Sequence, residues 1–83
     1  MKYFTYILYS NKTNKYYIGY TSNIETRLEK HNLGGTTSTR GGRPWKLMYF
    51  ETFDSKTEAI KREKEIKNKK SRKYIEYLIS SNS

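Results

Sequence analysis

The chain reads as an α+β fold, a three-stranded antiparallel sheet flanked by helices in the order β-β-α-β-α-α. Three observations predict it. Two aromatic and β-branched runs lie either side of a cluster of turn formers, which is a hairpin signature. Two Ser-x-x-Glu patterns each precede a helical spacing of apolar residues. A third aromatic run sits between those two helices.

Residues 3–10 (YFTYILYS) are β-branched or aromatic almost throughout and form the first strand. Ser10-Asn11-Lys12-Thr13-Asn14 turns the chain, and residues 15–20 (KYYIGY) return it antiparallel. Gly19 interrupts this second strand, and such a glycine marks a bulge or a close backbone approach. Ser22-Asn23-Ile24-Glu25 is a capping box, so a helix starts at Ser22 and runs to about Asn32 before Gly34-Gly35. Residues 34–44 make a Gly, Thr, Ser and Arg loop with no apolar anchor. Residues 45–53 (WKLMYFETF) are the third strand. Ser55-Lys56-Thr57-Glu58 caps a second helix to about Lys67, and a third covers Ser71 to Ile79 with Ile75, Leu78 and Ile79 inward. The terminal SSNS is expected to fray. With 83 residues and no linker, the expectation is one domain over residues 1–83.

Hydrophobic content is only 34%, yet 16% of residues are aromatic and nine are tyrosine. Tyrosine buries a ring while keeping its hydroxyl wet, so a thin core can double as the wall of a polar site. Seventeen Lys and Arg against eight acids give a net charge of +9. A field of that size favours polyanions. Having no cysteine removes disulfides, zinc-thiolate sites and thiol catalysis together. No apolar run approaches the roughly 18 residues a membrane span needs, and the N-terminus opens into a strand rather than a signal peptide. A cytoplasmic protein that does not engage membranes is the expectation.

Helical spacing puts polar residues on faces that should be buried. Ile24, Arg27, Leu28 and His31 stand at i, i+3, i+4 and i+7 and share one face. Glu25, Glu29 and Asn32 make the opposite, solvated face. In the second helix Glu63 sits in the stripe of Ala59, Ile60 and Ile66. An inward carboxylate needs a cation or donors. A structural ion pair with Arg27 would satisfy it, as would a shared functional site. Three inward polar residues on two helices of so small a core favour the site.

With Tyr6 in the first strand, Tyr17-Ile18-Gly19 in the second, Arg27 and His31 one turn apart and Glu63 on a later helix, the chain resembles the GIY-YIG nuclease superfamily. It is most similar to small stand-alone members related to the N-terminal domain of an excinuclease ABC component and to the Slx-type endonucleases. The resemblance runs from about Tyr3 to Lys67. Thr39-Arg40 through Arg43-Pro44-Trp45 also resembles the stretch before the third strand in the Slx-type enzymes. The first motif departs from the family: Phe4-Thr5-Tyr6 stands where Gly-Ile-Tyr or Gly-Val-Tyr is usual, so only the tyrosine survives. A shifted alignment would place Tyr9 there, but the hairpin length favours Tyr6.

The resemblance implies a divalent-metal phosphodiesterase. Glu63 would be the protein ligand of Mg²⁺ or Mn²⁺, with Tyr6 and Tyr17 near the attacking water, Arg27 on the scissile phosphate and His31 as auxiliary acid or base. Ile18 and Gly19 complete the structural motif. A tyrosine acts as base only if a neighbouring cation lowers its pKa, and Arg27 and the metal are the candidates. Residues 61–73 hold eight Lys or Arg and two Glu. This is more positive charge than a helix end requires, so Lys64, Lys67 and Lys70 are expected to contact phosphates beside Glu63. Arg40, Arg43 and Lys46 form a second basic lip. With no recognition helix, binding should follow backbone and shape rather than base sequence.

The expected function is therefore a Mg²⁺-dependent, structure-directed endonuclease of DNA, preferred over RNA, of the kind used in DNA repair or recombination. The alternative is a nucleic-acid-binding module of the same fold without turnover, or one that needs a protein partner to choose its substrate. A third class is a basic protein associated with RNA or the ribosome.

Overall fold

The computed structural model describes residues 1–81. The elements are β1 (Tyr3–Ser10), β2 (Lys15–Thr21), α1 (Ile24–Asn32), a 3₁₀ helix (Thr37–Gly42), β3 (Trp45–Phe53), α2 (Lys56–Lys69) and α3 (Arg72–Ser81). Strand order is β2-β1-β3 with both pairs antiparallel, so β1 is central. The α+β class and the element order are as the sequence predicts.

Side chains alternate along a strand, so β1 supplies two different cores. Thr5 and Ile7 face α2 and α3. There Ile7, Ile18, Ile66 and Leu78 are buried, with Tyr16, Tyr49, Tyr74, Ile75 and Ile79 packed around them. The Thr5 hydroxyl donates to the Ala59 carbonyl at 2.7 Å and ties α2 to the centre of the sheet. Tyr6 and Leu8 face the other way. They form a second core with Trp45, against which Tyr17, Leu28 and Leu47 pack.

Polar groups on the α2 side are paired. Glu51 of β3 takes Arg62 of α2 through two parallel N–H···O bonds of 3.0 Å and also accepts from the Tyr49 hydroxyl. Burial, and then Glu51, push the Tyr49 hydroxyl up to about 12. Arg72 of α3 reaches back to the hairpin turn and donates to the Asn14 carbonyl and side chain at 2.8 and 2.7 Å. Asn14 has φ of 55°, a conformation Asn tolerates better than most residues.

Several local expectations are corrected. The cap of α1 is Asn23, whose side chain accepts from the Thr26 amide at 3.0 Å. Ser22 is displaced from that role because the Thr21 hydroxyl engages the Asn23 backbone and holds the chain extended one residue longer. Ser55 caps α2 as expected, but α2 continues to Lys69, and Lys70 ends it in the left-handed conformation at φ 47°. The loop of residues 34–44 contains a 3₁₀ helix and does have an anchor. Gly42 packs so closely on the Trp45 indole that a Cβ would lie 2.5 Å from its ring, and the indole N–H donates to the Thr39 carbonyl at 2.6 Å. Asn32, expected on the solvated face, exchanges hydrogen bonds with the Trp45 backbone and fastens α1 to β3. Of the SSNS segment expected to fray, Ser80 and Ser81 continue α3; Asn82 and Ser83 lie outside the described residues.

Candidate active site

Tyr6 stands at the centre of the candidate site and faces Gly19 directly across β1 and β2. Its ring lies over the glycine, so a Cβ there would come within 2.6 Å of the hydroxyl oxygen. Register between the two strands is unbroken, so Gly19 provides a close approach and not a bulge. Any side chain at Gly19 would displace the phenol.

The Tyr6 hydroxyl is 3.1 Å from His31 Nε2. His31 is fully buried, and its Nδ1 is 2.8 Å from the Thr39 hydroxyl. That hydroxyl carries one hydrogen and gives it to the Thr36 carbonyl at 3.3 Å. Thr39 therefore accepts from Nδ1–H, which leaves Nε2 as the acceptor for the Tyr6 hydroxyl. The network assigns the neutral Nδ1–H tautomer. Burial lowers the pKa of His31, and the Arg27 and Lys30 charges lower it further, so the ring is neutral at pH 7. Tyr17 meets the His31 ring at 4.9 Å and the Trp45 ring at 6.3 Å, both edge-on.

Arg27 rises from α1 beside the Tyr6 hydroxyl and interacts with it. Its Nε is nevertheless buried with no hydrogen-bond partner among the described residues. The expected effect of Arg27 on Tyr6 has the right sign, but burial outweighs it. The Tyr6 hydroxyl is held above its ordinary value of 10.0 and stays protonated at neutral pH. The guanidinium alone thus does not lower the Tyr6 hydroxyl below its ordinary value.

Glu63 projects from the inner stripe of α2, its side chain only 15% exposed. Its charge reaches Tyr6 and contributes to raising that hydroxyl. Arg27 is not its partner. The carboxylate accepts from Lys67, one turn along the same helix, at 2.6 Å, while Arg62 pairs with Glu51 instead. At the end of β2 a polar cleft of about 370 Å³ is lined by Tyr3, Tyr20, Thr21, Ser22, Arg27 of α1 and Lys56 of α2; Glu63 lies outside this lining. Lys56 adds a second cation beside Arg27.

No three His, Cys, Asp or Glu side chains gather around one point among the described residues. One carboxylate is not a zinc or calcium cage. It does suit a hard, hydrated Mg²⁺ or Mn²⁺ that keeps most of its waters and takes substrate oxygens as further ligands. Glu63 fits that mode, being sheltered and already holding a cation.

The basic residues fall into two groups. Arg40 and Arg43 are exposed on the 3₁₀ segment and brace each other's loop, Arg40 donating to the Gly34 carbonyl and Arg43 to the Arg40 carbonyl at 3.1 and 2.8 Å. Exposed Lys46 follows on β3. Lys64, Lys67 and Lys70 lie along α2 and its end, with Lys67 engaged by Glu63. Sequence reasoning missed Thr39, Asn32 and Lys56. Thr39 stands in the stretch that resembles the Slx-type enzymes but has no task assigned from sequence, since a threonine in a Gly/Ser/Thr loop has no periodicity to place it. No described helix is long and apolar enough to cross a membrane.

The family model described as the GIY-YIG catalytic domain matches residues 2–75. A UPF0213 protein of Staphylococcus haemolyticus is 48% identical over 67 residues, spanning 80% of each chain. One of Clostridium perfringens is 47% identical over 81 residues, 96% of this chain and 85% of the relative. The solution NMR structure of the UPF0213 protein BH0048 from Bacillus halodurans superposes with a TM-score of 0.60 at 38% identity, covering 96% of this chain and 84% of that one. With its β-β-α-β-α-α sheet and the Tyr17-Ile18-Gly19 motif on β2, this chain belongs to the GIY-YIG nuclease family.

Proposed function

We propose that the chain is a Mg²⁺- or Mn²⁺-dependent endonuclease that hydrolyses phosphodiester bonds in DNA, directed by structure rather than sequence. The observation that carries this reading is the buried, unpartnered Nε of Arg27 beside the Tyr6–His31 pair. A buried donor without an acceptor is costly, and an anionic phosphate oxygen is the acceptor it lacks. Glu63 within electrostatic reach of the same hydroxyl supports one shared site.

Each side chain then has a task. Arg27, with Lys56 across the cleft, holds the phosphate and stabilises charge that grows at phosphorus in the transition state. Tyr6 remains a phenol, so it takes a proton from the attacking water only while passing its own to His31 Nε2. Thr39 keeps that nitrogen free to receive it. Tyr17 braces the imidazole ring. Glu63 would hold the divalent cation, which when bound would supply Lewis-acid stabilisation of the leaving oxygen. Arg40, Arg43, Lys46, Lys64, Lys67 and Lys70 add phosphate contacts that read no bases. A cytoplasmic DNA repair or recombination role completes the proposal.

Purified protein should nick branched or flapped DNA with Mg²⁺ or Mn²⁺, and Glu63→Ala or EDTA should stop it. Activity that survives both rules out the metal mechanism. The Glu63–Lys67 pair favours a second reading, in which lysine occupies the carboxylate permanently and the domain only binds nucleic acid. Gel-shift binding with no cleavage across several substrates would support that reading.

A further inference from the structure

A second cleft lies between β2 and the α2–α3 junction, with a volume of about 360 Å³. That is within the roughly 300–1,000 Å³ of small-molecule sites. Its floor is apolar, made by Ile18, Ile66 and Ile75, and its rim carries Lys15, Lys67, Lys70 and Arg72. The Arg72 guanidinium lies 4.8 Å above the Tyr16 ring and is held there by Asn14 and Glu76. Lys67 belongs both to this rim and to the Glu63 carboxylate.

We propose that this cleft holds one unpaired nucleotide of the substrate strand, next to the phosphate at Glu63. The inference rests on the nuclease reading and names the substrate feature that this chain selects. Four cations around an apolar floor complement a group that is anionic at one end and flat and apolar at the other, which describes a nucleotide. A duplex keeps its bases stacked inside and cannot lay one on that floor; a frayed, flapped or single strand can. The Arg72 guanidinium over the Tyr16 ring offers a flat cationic and aromatic surface of the kind on which bases of any sequence stack. A strand seated there brings a phosphate to Lys67 and competes with Glu63 for its ammonium.

The test is a metal-free NMR titration with tetrathymidylate, a self-complementary DNA duplex and a short polyglutamate. Tetrathymidylate should shift the amides of residues 15–18 and 66–75 first. Its affinity should fall about tenfold in Lys15→Glu and again in Lys70→Glu, both exposed positions. Ile75→Glu should weaken it as well, while the duplex, if it binds, should be insensitive to that change. The proposal is overturned if tetrathymidylate does not bind, shifts only the Arg27 and Arg40 region, or loses nothing in the lysine variants. Equal binding of polyglutamate overturns it too, since that would make the cleft a general anion surface. Because no cleavage is read, a protein that fails to cut DNA fails the nuclease proposal alone.

Discussion

The two faces of the sheet are built from different material. Under α2 and α3 the buried groups are aliphatic, and their polar neighbours are matched, Glu51 by Arg62 and Tyr49, Thr5 by Ala59. Under α1 and the 3₁₀ segment Leu8 is buried together with Tyr6, His31, Thr39 and Trp45, and Arg27 keeps an unmatched donor among the described residues. One central strand feeds both. The contrast teaches that the first face secures the fold, while the second gives part of its packing over to a polar arrangement with one donor left unmatched among the described residues.

The sharpest way to break that contrast is to cut each face in turn. Ile66→Ala on the aliphatic face should lower unfolding free energy by about 3 kcal/mol, read from the urea midpoint at constant slope. Gly19→Ala should cost about 2 kcal/mol, because the new methyl group meets the Tyr6 hydroxyl at 2.6 Å; it should also displace Tyr6 and take cleavage with it. Tyr6→Phe keeps the ring and removes the hydroxyl. It should cost only about 1 kcal/mol of stability, yet slow cleavage by about 100-fold or more. Equal losses of stability from Ile66→Ala and Tyr6→Phe would deny the division of labour.

Acid should find the α1 face first. The folded pKa of His31 is below its ordinary 6.5, so at intermediate pH the unfolded chain binds the extra proton. Stability from this group is complete above pH 6.5 and lost as pH falls below it. Urea midpoints taken at steps from pH 7 to 5 should drop, and the drop should shrink in His31→Gln. At the other extreme, Tyr49 is held at about 12, so its contribution is present below pH 10 and disappears as pH rises toward 12. The smallest change expected is a gain. Lys70 takes a left-handed conformation at φ 47°, and Lys70→Gly should stabilise by about 0.5–1 kcal/mol.

Much of the aliphatic face is legible in the sequence because its signals are periodic. Alternation places β1, β2 and β3, and helical spacing places Ala59, Ile66 and Leu78 inside. The same spacing exposes Arg27, His31 and Glu63 as polar residues turned inward. What it cannot supply is pairing. Glu63 has a cation four residues away and another across the fold, and only three-dimensional geometry shows that Lys67 takes it and Arg27 does not. The roles of Thr39 and Asn32 stay hidden for a related reason: each acts through hydrogen bonds to residues on another element, and short polar side chains in turns or at helix ends look alike in sequence. The capping signal at Ser22 points one residue too early because Asn23 is an equally good cap.

Everything functional depends on Glu63 sharing one small space with Tyr6 and Gly19. Substoichiometric Mn²⁺ added to the isotope-labelled protein probes that space, since the paramagnetic ion erases nearby amide signals. Gly19, Glu63 and Lys67 should broaden first, and Glu63→Ala should abolish that pattern. Broadening centred instead on the exposed acids Glu25, Glu29 or Glu76, and unchanged by Glu63→Ala, would refute the shared site.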